Sequence, residues 1–170
     1  FGFMSQRGDW QTQAAKDSLL LLKERCSADT VVLAVVVEQA TAQSTTIDWQ
    51  ADSVLSDQEV KSMIAFAQAQ GLKVILKPMV NVIDGTWRAH INFFDIPCEP
   101  KWSEWFSSYN DYIVHYAKIA EETNCEMFVI GCELVNADRR EGEWRELISL
   151  VRNEYQGLVT YNCDKYQEEH

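Results

Sequence analysis

The sequence predicts an α/β fold in which five parallel strands alternate with four helices. Short apolar runs and amphipathic helical segments follow one another in strict order along the 170 residues. The run Thr30–Val37 is continuously apolar and rich in valine, which is typical of a strand covered on both faces of a parallel sheet. Parallel neighbours need crossover connections, and a helix-length segment separates each strand signal from the next.

The first half of the chain is expected to hold three strands. The first is Phe1–Met4, the second is Thr30–Val37, and the third is Leu72–Lys77, closed by Pro78. Between the first two, Gln11–Arg25 is predicted to be a helix. Its apolar stripe comprises Ala14, Ala15, Leu19 and Leu22.

The second helix carries the clearest start and stop signals. Ser56-Asp57-Gln58-Glu59 matches a capping box, and Gly71 stands where glycine is favoured just after a helix ends. The residues predicted to face the core are Val60, Met63, Ile64 and Ala67.

The second half is expected to hold two helices and two strands. Trp102–Thr123 is predicted to be a long helix, Met127–Gly131 the fourth strand and Leu158–Asn162 the fifth, preceded by Gly157. The long helix has an aromatic stripe of Trp105, Phe106, Tyr109, Tyr112 and Tyr116. Asp138 and Glu141 fit a second capping box. The helix after it is expected to bury Trp144, Leu147, Ile148 and Val151.

Composition narrows the range of partners. Twenty-six acidic against fifteen basic residues give a net charge of −11, which disfavours nucleic acid and anionic membranes as partners. No run of eighteen apolar residues predicts a transmembrane helix. The five cysteines include no CxxC pair and no zinc spacing, so we expect reduced thiols and a cytoplasmic location.

Two architectures fit this order of elements. One is a doubly wound sheet of the flavodoxin type, and the other is the first five βα units of a (β/α)8 TIM barrel. The turn after the first strand, Ser5–Trp10, lacks the glycine-rich spacing of a phosphate loop. Polar side chains instead follow every strand, as at the active-site face of a barrel. We therefore predict one incomplete barrel domain over residues 1–170.

The strand ends supply the candidate site residues. Their carboxylates, amides, bases and indoles suit a neutral polyhydroxylated ligand, because polar groups bond hydroxyls and indole faces stack on sugar rings. Glu133 is the leading candidate for acid/base chemistry, since it leaves an apolar strand and is expected to lie beside low-dielectric walls. The candidate substrate-binding residues are Arg7, Trp10, Lys77, Asn81, Trp87, His90, Asn136, Asn162 and Asp164.

Four ordered blocks resemble glycoside hydrolase family 113. They are Lys77–Val82, Gly85–Ile91, Phe128–Glu133 and Tyr161–Tyr166, and the resemblance runs over essentially the whole chain. The family contains β-1,4-mannanases of the (β/α)8 clan of retaining glycosidases. The resemblance implies a glutamate after the fourth strand as acid/base, which Glu133 matches, and a nucleophilic glutamate after the seventh strand.

Two features depart from the clan pattern. Cys132 stands where many members have an asparagine that bonds the sugar 2-hydroxyl. The chain also ends after the fifth strand, so the implied nucleophile is outside it. We therefore expect a β-mannan-hydrolysing glycosidase of which this chain is an inactive part, needing no metal or cofactor.

Alternatives remain at this point. The chain could be a non-catalytic carbohydrate-binding half-barrel. Trp10 and Trp87 could be packing residues, Lys77 could form a structural ion pair, and His90 could be a hydrogen-bonded loop residue. Unpaired first and last strands would also leave open sheet edges through which the chain could associate.

Overall fold

The computed structural model describes residues 1–94 and 101–165, and Cys98 and Tyr166 lie outside them. Strands and helices alternate as predicted. The strands are β1 (Gly2–Met4), β2 (Thr30–Gln39), β3 (Lys73–Val82), β4 (Met127–Cys132) and β5 (Leu158–Asn162). The helices are α1 (Gln13–Cys26), α2 (Asp57–Ala69), α3 (Lys101–Glu122) and α4 (Glu141–Glu154). Short 3-10 helices lie at Asp9–Gln11 and Arg88–His90.

The order of the strands in the sheet decides between the two architectures. All neighbours are parallel and the spatial order is β1-β2-β3-β4-β5. A doubly wound sheet changes direction at a switch point and so has a non-sequential order. The sequential order is that of a (β/α)8 barrel, so the partial barrel of five strands and four helices is confirmed.

The two faces of the sheet differ in burial. On β3, Val74, Leu76 and Val80 are almost fully buried in the core that the sheet shares with the helices. Lys77 and Asn81, which alternate with them, are only partly buried. The polar residues therefore collect on the face away from the helices, where a barrel has its interior.

Helix α3 anchors the sheet through its buried aromatic stripe. Tyr109 donates a hydrogen bond to the Ile130 carbonyl at 2.8 Å, and Tyr112 donates to the carbonyls of Val35 at 3.0 Å and Met79 at 3.3 Å. Since β3 and β4 pair only at Ile75 and Leu76, the Met79 and Ile130 carbonyls lie beyond the region where these two strands pair, and these hydroxyls bond them there. Every residue of the predicted stripe is buried.

Strand β3 is longer than predicted. It passes through Pro78 and ends at Val82, with Pro78 paired opposite Val35. Among the described residues, β3 beyond Leu76 pairs only with β2, so on its other side no neighbouring strand requires a hydrogen bond from the residue at position 78. The prediction that Pro78 ends the strand is therefore wrong. The longer strand places Asn81 near its carboxyl end.

The helix boundaries also require corrections. Helix α2 has the predicted capping box at Ser56, and Gly71 has the predicted left-handed backbone. Helix α4 has no such box, because its N-cap is Arg140, without a side-chain cap, and Asp138 bonds Tyr161 instead. Ile148 is 40% exposed and Ala14 is exposed, so neither joins the core.

Four cysteines fall within the described residues, and all four are free: Cys26, Cys125, Cys132 and Cys163. Burial raises the pKa of the Cys125 thiol to about 11. None of the described helices is long and apolar enough to cross a membrane.

Candidate active site

The site is built on the turn that follows β4. Val129 pairs with Thr160 and Cys132 with Asn162, so β4 contains one residue more than β5 over this interval, a β-bulge. The next residue, Glu133, has a left-handed backbone with φ of 53°. For a residue other than glycine this conformation costs on the order of 1 kcal/mol, and such strain concentrates at functional sites. The bulge and the turn aim Glu133 away from the strand.

Two donors from the loop after β3 hold the Glu133 carboxyl. Arg88 Nη1 lies 2.6 Å from Oε2, and the Trp87 indole N–H donates to the same oxygen at 3.3 Å. The Glu133 side chain is 30% exposed, so one part of it stays open to solvent. The apolar walls expected around Glu133 are therefore replaced by an ion pair and an indole donor.

Arg88 joins Glu133 to the end of β3. Its Nε donates to the Val80 carbonyl at 3.0 Å and its Nη2 to Asn81 Oδ1 at 2.5 Å. The side chain is only 15% exposed. Because the guanidinium group bonds three acceptors at once, its position is fixed, and it holds the Glu133 carboxylate in one place.

The end of β5 closes the other side of the site. Lys77 donates to Asn162 Oδ1 at 2.5 Å across the inner face of the sheet. The Asn162 carbonyl accepts from the Glu133 backbone N–H at 2.9 Å. Asn162 therefore links Lys77 to Glu133. The ammonium group of Lys77 bonds the side-chain amide of Asn162.

The loop residues form the rim. Trp87 is 41% exposed and His90 meets it edge-on, with the ring centroids 5.7 Å apart. Asn136 donates to the Ala89 carbonyl at 2.8 Å and so ties the turn after β4 to the loop that carries Arg88. Trp87 is thus partly open to solvent, as a residue that contacts a ligand must be.

A cavity of about 630 Å³ opens beside this cluster. Asn81 lies on its wall, as do Glu38 and Arg7 from the ends of β2 and β1. Arg7 also forms an ion pair with Glu59 at 3.0 Å and donates to the Val54 carbonyl at 2.6 Å. The volume is within the usual range for small-molecule sites.

Two predicted binding residues are buried. Trp10 is 1% exposed and stacks on Phe3 with 6.2 Å between ring centroids, so it has no free face for a sugar. Asp164 is 8% exposed, which leaves little of its carboxylate open to a ligand. The structure thus corrects the expectation for Trp10 because the first turn folds the indole into the core.

Sequence reasoning missed Arg88 and Tyr161 as contributors to the site. In the sequence, Arg88 is a basic residue next to Trp87. Its partner, Glu133, lies 45 residues further along the chain. Tyr161 alternates with Asn162 on β5, and alternation assigns it to the opposite face of the sheet. Both residues lie in blocks that carry the family resemblance, but no local pattern assigns either of them a role at the site.

The fold and the site together define a class. A parallel sheet in barrel order, with an acid, amides and an exposed indole gathered at its carboxyl end, is part of a (β/α)8 barrel with its polar cluster on the face where such barrels hold their active sites. Within residues 1–94 and 101–165, no three His, Cys, Asp or Glu side chains cluster as a metal site requires.

The chain belongs to glycoside hydrolase family 113, whose family model matches residues 1–170. The solved complex structure of a GH113 β-1,4-mannanase shares 57% identity with a TM-score of 0.94, covering 99% of this chain and 56% of that one. The GH113 β-mannanase AaManA from Alicyclobacillus acidocaldarius, solved in complex with ManMIm, shares 44% identity with a TM-score of 0.92, covering 100% of this chain and 55% of that one. No curated protein matches.

The chain spans a little more than half the length of these solved mannanases. The family model and the structural matches establish the family and the partial-barrel fold for residues 1–170.

Proposed function

We propose that this chain supplies the acid/base half of a β-1,4-mannan-hydrolysing active site, with Glu133 as the catalytic acid/base. One observation carries the proposal. Glu133 stands on a left-handed turn at the carboxyl end of β4, its carboxyl held by Arg88 and Trp87, in a family 113 chain similar to solved β-1,4-mannanases.

The proposed reaction retains configuration in two steps. Protonated Glu133 gives its proton to the glycosidic oxygen while a second carboxylate, about 5–5.5 Å away, attacks the anomeric carbon. Glu133 then takes a proton from the water that releases the sugar. Trp87 supplies a stacking face, and Arg88 and Asn162 hold the Glu133 carboxyl and backbone in place.

The second carboxylate belongs to polypeptide outside residues 1–170. Among the described residues, the hydrogen bonds to the Glu133 carboxyl come from Arg88 and Trp87, and both are donors that hold this carboxyl. By "complete enzyme" we mean a protein that contains this chain together with that second carboxylate. The isolated chain is expected to be inactive, and mannan hydrolysis by the purified, mass-verified 170-residue chain would refute that expectation.

The substitution Glu133→Gln in the complete enzyme tests the assignment. Turnover of mannan is expected to fall by about 10²–10⁴-fold, because the amide can neither give nor take the proton. The affinity for manno-oligosaccharides, measured by calorimetry, should stay within about threefold, since the shape of the side chain is kept.

Glu126→Gln is the matched control. Glu126 is exposed and directly precedes the opposite end of the same strand. It should leave both turnover and affinity unchanged. Loss of activity in the control alone, or full activity of Glu133→Gln, would contradict the acid/base role. A complete protein that binds the sugar but never hydrolyses it would instead be a non-catalytic binding module.

A further inference from the structure

The strained backbone at Glu133 needs contacts that hold it. Two consecutive N–H groups at this turn are bound by the last two residues of β5. Glu133 N–H donates to the Asn162 carbonyl at 2.9 Å, and Leu134 N–H donates to the Tyr161 hydroxyl at 2.8 Å. The first contact is between backbones and is available to any sequence. The second depends on one side-chain oxygen.

Asp138 fixes the direction of that hydroxyl. Tyr161 Oη lies 2.7 Å from Asp138 Oδ1, and the phenol has a single proton to donate. Because the Asp138 carboxylate accepts the hydrogen bond donated by that proton, the lone pairs of Oη are left to accept from the Leu134 N–H. Burial raises the pKa of Tyr161, and the bond to Asp138 raises it further, so the phenol keeps its proton.

The ring of Tyr161 is seated by close packing at the bulge. It meets Trp144 edge-on with 5.3 Å between centroids. A Cβ built on Gly131 would lie 2.5 Å from Tyr161 Cε2 and 2.8 Å from the Trp144 ring. Glycine at 131 therefore allows β4 and the tyrosine ring to approach closely, and the ring then presents its hydroxyl to the turn.

We propose that Tyr161, oriented by Asp138, is a positioning residue that holds the turn carrying Glu133 from the helix side of the sheet. Its hydroxyl fixes the Leu134 N–H, and thereby the direction in which the preceding side chain leaves the backbone. The consequence for turnover rests on the proposed function of Glu133, whereas the positioning itself can be tested on this chain.

The first test compares Tyr161→Phe with Tyr155→Phe by NMR of the labelled 170-residue chain. The Tyr155 hydroxyl donates to the Cys125 carbonyl at 2.7 Å, so each variant loses one phenol–backbone bond, and Tyr161→Phe also loses the bond to Asp138. In Tyr161→Phe, amide exchange at Leu134 should quicken by about tenfold or more, and the Glu133 carboxyl and Arg88 Nε–H resonances should move. Tyr155→Phe should leave these three signals in place.

Two outcomes would overturn the proposal. One is an unchanged Leu134 exchange rate and Glu133 resonance in Tyr161→Phe. The other is the same change in both variants, which would indicate general loosening.

Asp138 offers an independent check. Asp138→Asn keeps an oxygen acceptor for the phenol and should preserve the wild-type signals, whereas Asp138→Leu removes the acceptor and should reproduce Tyr161→Phe. Equal spectra for the two Asp138 variants at Glu133 and Leu134 would remove Asp138 from the proposal.

The second test uses the complete enzyme and the leaving group of the substrate. Departure of dinitrophenolate needs little help from an acid, but departure of a sugar hydroxyl needs a proton. Tyr161→Phe should therefore lower kcat on manno-oligosaccharides by about tenfold with KM nearly unchanged. Its effect on the glycosylation rate with dinitrophenyl mannosides should be less than about twofold.

An equal loss on both substrates would contradict positioning of the acid. If the complete enzyme hydrolyses no mannan at all, the proposed function fails, and the NMR comparison still decides the role of Tyr161.

Discussion

Arg88 makes the Glu133 carboxyl part of a fixed network. Its three nitrogens point to the Val80 carbonyl, Asn81 and Glu133. Arginine can do this because its donors lie in one rigid plane, whereas the ammonium group of lysine is a single point on a flexible stem. The network thus depends on the geometry of the guanidinium as much as on its charge.

Arg88→Lys is accordingly expected to be nearly as harmful as Arg88→Met. In the complete enzyme both should lower kcat/KM on manno-oligosaccharides by about 10–100-fold, because a loosened acid/base misses its reactive position. Arg139→Lys is the control, since Arg139 is exposed, donates to Asn92 at 3.1 Å and has no described bond to Glu133. Wild-type kinetics in Arg88→Lys would show that only the charge matters.

At the scale of the element, the start of α2 joins three parts of the chain. The Glu59 side chain is 1% exposed and accepts bonds from the Ser56 backbone N–H at 2.9 Å, the Ser56 hydroxyl at 2.7 Å and the Gly8 N–H at 2.5 Å. Arg7 pairs with the same carboxylate at 3.0 Å. This capping box therefore also sets the first βα turn and the position of Arg7 on the cavity wall.

Glu59 should make stability depend on pH. Desolvation by itself would raise the pKa of Glu59, but the bonds from Ser56 and Gly8 and the charge of Arg7 outweigh it and lower the pKa below 4.5. A lowered folded-state pKa stabilises the protein above the unfolded value, and the stabilisation is lost as the pH falls through the folded-state value.

Urea unfolding of Glu59→Gln at several pH values is the measurement. At pH 7 the variant should lose about 1–3 kcal/mol of unfolding free energy, since buried donors lose a charged acceptor. The difference from wild type should shrink as the pH falls below about 4.5. Glu146→Gln, at an exposed position of α4, should change little. A difference that stays constant with pH would rule out this role for Glu59.

At the scale of the whole molecule, β1 and β5 are the two edges of the described sheet. Met4 on β1 is 62% exposed and Leu158 on β5 is 57% exposed. Strand edges with exposed apolar side chains are templates for pairing with another chain. The occupant we expect for these edges, in the isolated chain, is a second copy of the same chain.

The isolated chain should therefore show concentration-dependent association in sedimentation velocity. Leu158→Lys should weaken that association by about tenfold or more, because a charge at an edge strand opposes pairing. Ile83→Lys is the control, since Ile83 is 64% exposed but follows the central strand β3. A chain that stays monomeric at all concentrations, or equal effects of the two lysines, would contradict association through the β5 edge.

The order of elements, the α2 capping box and the aromatic stripe of α3 could all be predicted from the sequence. Each depends on residues a few positions apart, where periodicity and capping chemistry act directly. The β3 boundary and the start of α4 could not. Strand β3 continues through Pro78 because β4 does not pair with it there. Asp138 does not cap α4 because its carboxylate accepts a hydrogen bond from Tyr161.

The sequence by itself determined that a glutamate follows the fourth strand of a βα series and that amides and indoles follow its neighbours. Only the tertiary structure decided which of them meet. Trp10 turned into the core, whereas Arg88 reached Glu133 across 45 residues and Tyr161 reached Leu134 across 27. Such contacts depend on strand order and on the space left by glycine at 131, and these are properties of the packed chain that no short stretch of sequence encodes.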